Sequence, residues 1–186
     1  MTRRILMTLL LATLLMAPLP LDGRPAASAE VGKRLRPLAQ RSYSVRVAKG
    51  RAYLAATVGL RIVDVRRANK PRLLGTVVVA ESLNDVWVEP LRRAEKPGDK
   101  PPVYAYLAAG PHGVEIHDVT LPKRTKRLSR IKTRGSANAL ALDKTELYVA
   151  AGHAGVAIYD VTDRTRPKWR AVVKTGCYAR GVSVYG

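Results

Sequence analysis

The sequence predicts an all-β protein: a β-propeller-like array of about three four-stranded blades plus the first strand of a fourth, an incomplete ring. Three observations carry that expectation. One strand-like phrase occurs three times, as Gly59-Leu60-Arg61-Ile62-Val63-Asp64-Val65, Gly113-Val114-Glu115-Ile116-His117-Asp118-Val119 and Gly155-Val156-Ala157-Ile158-Tyr159-Asp160-Val161. The apolar pairs that open successive units, Val45/Val47, Val86/Val88, Leu140/Leu142 and Val182/Val184, lie 41, 54 and 42 positions apart. Between them, β-branched and aromatic residues run at period two and are bounded by Gly, Pro and Asp, the signature of strands. No stretch after residue 29 keeps a helical period. Four strands per unit at such a spacing is the pattern of a propeller blade.

Residues 1–29 read as an export signal. Arg3 and Arg4 form a charged start, Ile5 to Ala17 is apolar apart from Thr8 and Thr13, and Ala27-Ser28-Ala29 offers a small-x-small cleavage site. The apolar run falls well short of the ~20 residues that span a bilayer, so no transmembrane span is expected once the signal is removed. The expected location is therefore periplasmic, extracellular or at the cell surface, and the very apolar core of the signal favours general secretion over the twin-arginine route. Residues 30–41 form a basic lead-in without a clear period.

The repeats occupy 42–186, with blades expected at about 42–79, 83–133 and 137–174 and a partial one at 178–186. The second strand of each is Ala52-Tyr53-Leu54-Ala55-Ala56, Ala105-Tyr106-Leu107-Ala108-Ala109 or Leu147-Tyr148-Val149-Ala150-Ala151. Their paired alanines leave room for close sheet packing. Gly59, Gly113 and Gly155 stand at the connection into the third strand, where a positive φ is often required. Asp64, Asp118 and Asp160 close that strand and are suited to brace the next turn through their carboxylates; recurring once per blade, they make poor geometry for a shared metal. In the fourth strands Leu74 and Val77 match Leu128 and Ile131, and Val173 matches Val77. Glu89 to Pro102 is an insertion with four prolines and mixed charge, a solvated loop.

These phrases, with Lys70-Pro71-Arg72-Leu73-Leu74-Gly75-Thr76, resemble the LVIVD repeat family of bacterial exported and surface proteins. The resemblance spans Ser42 to Gly186. It implies a propeller-like fold in the cell envelope, usually without an assigned biochemical function, and it brings no catalytic motif. The second unit departs from the pattern through its insertion and through Thr125, which stands where its neighbours have Pro71 and Pro167. Three blades and one strand should leave exposed edges and apolar faces. A truncated longer propeller, an open stack, and copies that together complete a ring all fit, and self-association is the natural physical consequence.

The chain has 33 basic and 14 acidic residues, a formal net charge of +19. Removing the signal costs three arginines and one aspartate, so the excess stays strongly positive and draws the protein to polyanions. An anionic envelope component (an acidic glycan or lipid head group) or another protein is the expected partner; nucleic acid is not. Cys177 is the single cysteine, which excludes an intramolecular disulfide and reads as a small buried hydrophobe.

In a propeller, the loops into the first strand and those between the second and third share one face around the channel. That face would gather Asn84, Asp85, His112, Arg134, Asn138, His153 and Arg180, a candidate binding site. Turn capping is the plainer role for the same residues. Trp87 is expected at a blade interface and Trp169, among Arg164, Arg166, Lys168 and Arg170, at the surface. No His-x-x-x-His, cysteine cluster, Gly-x-Ser-x-Gly or phosphate-cradling Gly loop occurs, so no catalytic residue, metal site or cofactor is assigned. The sequence reads as a non-enzymatic binding or scaffold protein. The alternatives are a propeller hydrolase or lyase acting on an acidic glycan, and a fragment of a longer propeller.

Overall fold

The computed structural model describes residues 41–79, 82–90 and 100–185. The export signal, nearly all of the basic lead-in and most of the Glu89–Pro102 insertion lie outside them. The described residues form twelve strands in three antiparallel four-stranded meanders and no helix. Blade 1 contains β1 (Ser42–Ala48), β2 (Arg51–Ala56), β3 (Gly59–Asp64) and β4 (Arg72–Val77). Blade 2 contains β5 (Asp85–Pro90), β6 (Val103–Ala108), β7 (Val114–Asp118) and β8 (Lys126–Ile131). Blade 3 contains β9 (Ala139–Asp143), β10 (Glu146–Ala150), β11 (Val156–Asp160) and β12 (Lys168–Val173). Glu89 and Pro90 thus finish a strand, and the insertion begins after them.

The three sheets share one register. Tyr53 opposes Ile62, Tyr106 opposes Ile116 and Tyr148 opposes Ile158. Each blade also carries a bulge at the same place between its third and fourth strands, after Ile62, Ile116 and Ile158. A bulge bends its strand and increases local twist, so its recurrence gives all three blades the same curvature.

Packing joins the blades face to face. Tyr53, Ala55, Leu60, Ile62 and Val77 of blade 1 meet Val86, Val103, Ala105, Leu107 and Val119 of blade 2. Tyr106, Ala108, Val114, Ile116 and Ile131 of blade 2 meet Leu140, Leu147, Val149, Ala157, Tyr159 and Val161 of blade 3. Burying each large side chain here contributes about 1.5–3 kcal/mol. The paired alanines are buried to 0–1% exposure in all three blades, as close sheet packing requires.

The recurrent glycines have a steric cause. Gly59, Gly113 and Gly155 have φ of 110°, 83° and 86°, and a Cβ on each would lie 2.0–2.2 Å from the carbonyl oxygen of Val77, Ile131 or Val173. The aspartates act as braces. The Asp118 carboxylate accepts from the Thr120 N–H at 2.9 Å, Asp160 from the Thr162 N–H at 2.9 Å, and Asp64 from the Arg66 N–H at 3.0 Å.

Two expectations are corrected. Val182-Ser183-Val184 forms no ladder; that region pairs only through an isolated bridge between Ala179 and Gly152. A first strand is held by the second strand of its own blade, and none is present among the described residues. Cys177 is exposed, not buried. Gly176, at φ 68°, turns the chain just before it, and the Thr175 hydroxyl donates to the Cys177 carbonyl at 2.7 Å.

Candidate functional site

The predicted channel-face residues divide into ties and surface groups. The Asn84 side-chain amide donates to the Ala137 carbonyl at 3.0 Å, and that of Asn138 to the Ala179 carbonyl at 2.9 Å. These are equivalent bonds one blade apart, each reaching from one first strand to the lead-in of the next. Asp85 is buried, and its carboxylate accepts from the Val86 N–H at 2.8 Å and from the Leu140 N–H at 2.9 Å. It joins β5 to β9. Asn84 and Asp85 thus hold blades 2 and 3 together, and Asn138 ties blade 3 to the segment that follows it.

His153 and Arg180 are brought together around Tyr178. The His153 ring meets Tyr178 edge-on at 4.8 Å, and the Arg180 guanidinium lies 5.8 Å from the same ring. His112 sits on an exposed turn whose N–H donates to the Ala109 carbonyl. Arg134 lines a separate cleft of about 230 Å³ with Lys132, Tyr159 and Trp169. Trp169 is 62% exposed there, in line with its sequence reading. Trp87 is half-buried against the blade 2–blade 3 core, with the Arg46 guanidinium 4.8 Å from its ring centroid. Among the described residues, no group of three His, Cys, Asp or Glu side chains could hold a metal ion.

Two ionic clusters occupy the blades. Arg164 of blade 3 grips Glu89 of blade 2 at 2.7 and 2.8 Å, while Tyr106 donates to Glu89 at 2.9 Å and Tyr104 lies under the Arg164 guanidinium at 4.5 Å. Burial, the neighbouring Glu89 charge and its hydrogen bond hold the Tyr106 phenol well above its usual range. In the second cluster, buried Glu115 meets His117 at 2.8 Å and also accepts from Arg130 and Arg127. Burial pulls His117 below its usual value, only partly opposed by Glu115. Burial acts on Glu115 in the raising direction, but hydrogen bonds from His117 and Arg130 hold it below the usual carboxylate range. His117 is therefore neutral near pH 7. It donates from Nε2 to Glu115, and Nδ1 is left as a buried atom without a partner.

A concentration of positive charge lies at the opposite end of the blades, where the first-to-second and third-to-fourth strand turns meet. A groove of about 490 Å³ there crosses the blade 1–blade 2 junction. Lys49, Arg51, Arg66, Lys100, Lys123 and Arg124 line it, with Thr120, Leu74, Leu121 and Pro122 as its neutral walls. Among the described residues that line it the one carboxylate is Asp64, engaged by the Arg66 guanidinium at 2.5 Å. The hydrogen bond from that side chain, then the one from the Arg66 backbone, holds Asp64 down to about 2. Arg51 bridges the blades by donating to the Thr120 carbonyl at 3.4 Å. Asp64 and Arg66 also border a second hollow with Arg67, Lys70 and Arg72, so the cationic track continues past the groove.

The candidate residues expected from the sequence lie at the other end of the blades. The signal was present in Lys49-Gly50-Arg51, Arg66-Arg67 and Lys123-Arg124, which all fall on turns at one end of the aligned repeat.

No family model matches the chain, and no curated protein is similar to it. Its fold is similar to solved structures. The computationally designed Ika4 protein superposes with a TM-score of 0.57 at 11% identity, over 80% of this chain and 82% of that one. A structural genomics protein of unknown function from Bacteroides thetaiotaomicron VPI-5482 gives 0.48 at 14% identity, over 75% of this chain and 35% of that one.

Proposed function

We propose that this is an exported, non-enzymatic binding module of the LVIVD-repeat type, which uses its basic rim to hold an anionic component of the cell envelope. The observation that carries this reading is the groove at the blade 1–blade 2 junction, where, among the described residues, six cationic side chains line it with one carboxylate that is already paired. Its continuation over Arg67, Lys70 and Arg72 makes a track better suited to a linear acidic glycan than to a single lipid head group. Fixed positive charge on a rigid sheet junction attracts such a polymer at long range and releases it at high salt.

Titration with polygalacturonate tests this. The expected result is saturable binding that fades with added salt, weakened roughly two- to thirtyfold by the double change Lys123→Ala and Arg124→Ala, since each lost charge contact is worth roughly 0.2–1 kcal/mol. Both residues are exposed turn residues, so the fold should survive their loss. Binding that ignores both substitutions, or binding to anionic vesicles alone, would contradict the glycan reading. Shortening of the polymer during the titration would favour a hydrolase or lyase.

A further inference from the structure

Each blade has two unlike faces, and both kinds are seen mated and unmated in this one chain. The tail face of blade 2 (Tyr106, Val114, Ile116 and Ile131) is 0–5% exposed because blade 3 covers it. The equivalent residues of blade 3 are Tyr148, Val156, Ile158 and Val173. The first three are only half-buried and Val173 is 54% exposed. At the other end, Leu140 of blade 3 and Val86 of blade 2 are buried head-face residues. Their blade 1 equivalent, Val45, is 55% exposed, and the neighbouring Val47 is 67% exposed. Among the described residues, blade 3 thus leaves its tail face partly uncovered and blade 1 leaves Val45 and Val47 of its head face exposed, the two sides of a joint that the chain builds twice internally.

The polar edge of the joint is also complementary. At the first junction Arg51 reaches the turn of the next blade, at Thr120. At the second, Tyr104, in the same repeat position, lies under Arg164 of the next blade's turn. In blade 3 that position is Glu146, which accepts from the Tyr148 hydroxyl at 2.7 Å. The matching turn of blade 1 carries Arg66 and Arg67. Small residues recur where the turn approaches: the Pro122 carbonyl packs on Gly75, and the Arg164 carbonyl accepts from Ser129 at 2.6 Å. The tail face offers Ala171 at the equivalent place.

We propose that a second copy of this chain docks head to tail on these faces, Val45 and Val47 of one copy packing on Val156, Ile158 and Val173 of the other, with Glu146 against Arg66 and Arg67. Applied twice, the joint closes two copies into a ring of six blades, inside the four-to-eight range of closed propellers. The contact is heterologous, so closure depends on the rotation per copy.

Mixing two blocked variants separates this arrangement from any other. Val47→Glu spoils only the head and Val156→Glu only the tail; both positions are at least partly exposed, so each monomer should fold. In sedimentation velocity the unmodified protein should run as a two-copy species. Each variant alone should run as a folded monomer, and an equal mixture should recover a two-copy species through the one intact joint. Glu146→Lys should raise the dissociation constant about tenfold, by loss of a charge pair at a partly desolvated edge, and Arg67→Glu in the same chain should restore it. A monomeric unmodified protein, a long filament, or a variant that still pairs with itself would overturn the proposal.

Discussion

Ile116 and Ile158 occupy the same place in adjacent blades, one pointing into a joint and one toward open space. Ile116 is fully buried, whereas Ile158 is half-buried. Their strands, registers and following bulges match. What differs is only whether another blade stands in front. A repeat protein therefore writes its interface into every unit, including the units that have nothing yet to bind. The apolar exposure of Val45, Val47 and Val173 is a consequence of the repeat.

The largest expected effect sharpens this comparison directly. Ile116→Ala should lower stability by about 2–5 kcal/mol, the cost of a cavity in a closed core. Ile158→Ala should cost far less at protein concentrations too low for association. Chemical denaturation of both variants checks this, and equal losses would mean that the outer face is covered in the isolated chain.

Next in size is the glycine at the turn into the third strand. Gly113→Ala puts a Cβ about 2.1 Å from the Ile131 carbonyl oxygen at a φ of 83°. The left-handed conformation alone costs roughly 1–2 kcal/mol for an L-residue, and the clash adds to it. Gly176 has φ 68° with nothing within 4 Å of the added atom, so Gly176→Ala should cost only the conformational part. Thermal melts of the two would separate clash from strain.

A smaller effect separates the ionic edge of one joint from the buried ionic pair inside blade 2. The blade 2–blade 3 joint keeps its ionic groups at the edge, whereas Glu115 and His117 are buried within blade 2. His117 is held below its usual 6.5, so its neutral form favours the folded state. That contribution is present above pH 6.5 and is lost as pH falls from there through the lowered folded value. Glu115, held below its usual 4.5, contributes above that value and loses its contribution at still lower pH. Acidification should therefore destabilise the protein in two stages, and His117→Gln should remove the first and weaken the second, which Arg130 still supports. A denaturation series from pH 7 down to about pH 2 checks the order.

Much of the fold was legible in sequence because each blade repeats the same physical demands. Glycines that must avoid a carbonyl, alanines that must admit a neighbouring sheet and aspartates that must brace a turn leave identical residues at matching places in each blade. The candidate site was less legible. Asn84, Asn138 and Asp85 were visible as polar residues at one end of the blades, but their engagement with Ala137, Ala179 and Leu140 depends on how blades meet. The basic groove draws Lys49 and Arg51 from one blade and Lys100, Lys123 and Arg124 from the next, so only the packed junction assembles it. Val182-Ser183-Val184 carries a sound strand pattern, yet a strand needs a hydrogen-bonding neighbour as well as a pattern.

The solution mass of the purified protein across a dilution series tests the central claim most directly. Equivalence of the open and closed faces predicts a discrete two-copy species at high concentration that dissociates reversibly to folded monomer on dilution. A folded monomer at every concentration would contradict it, because the bare head and tail faces would then have no affinity for one another.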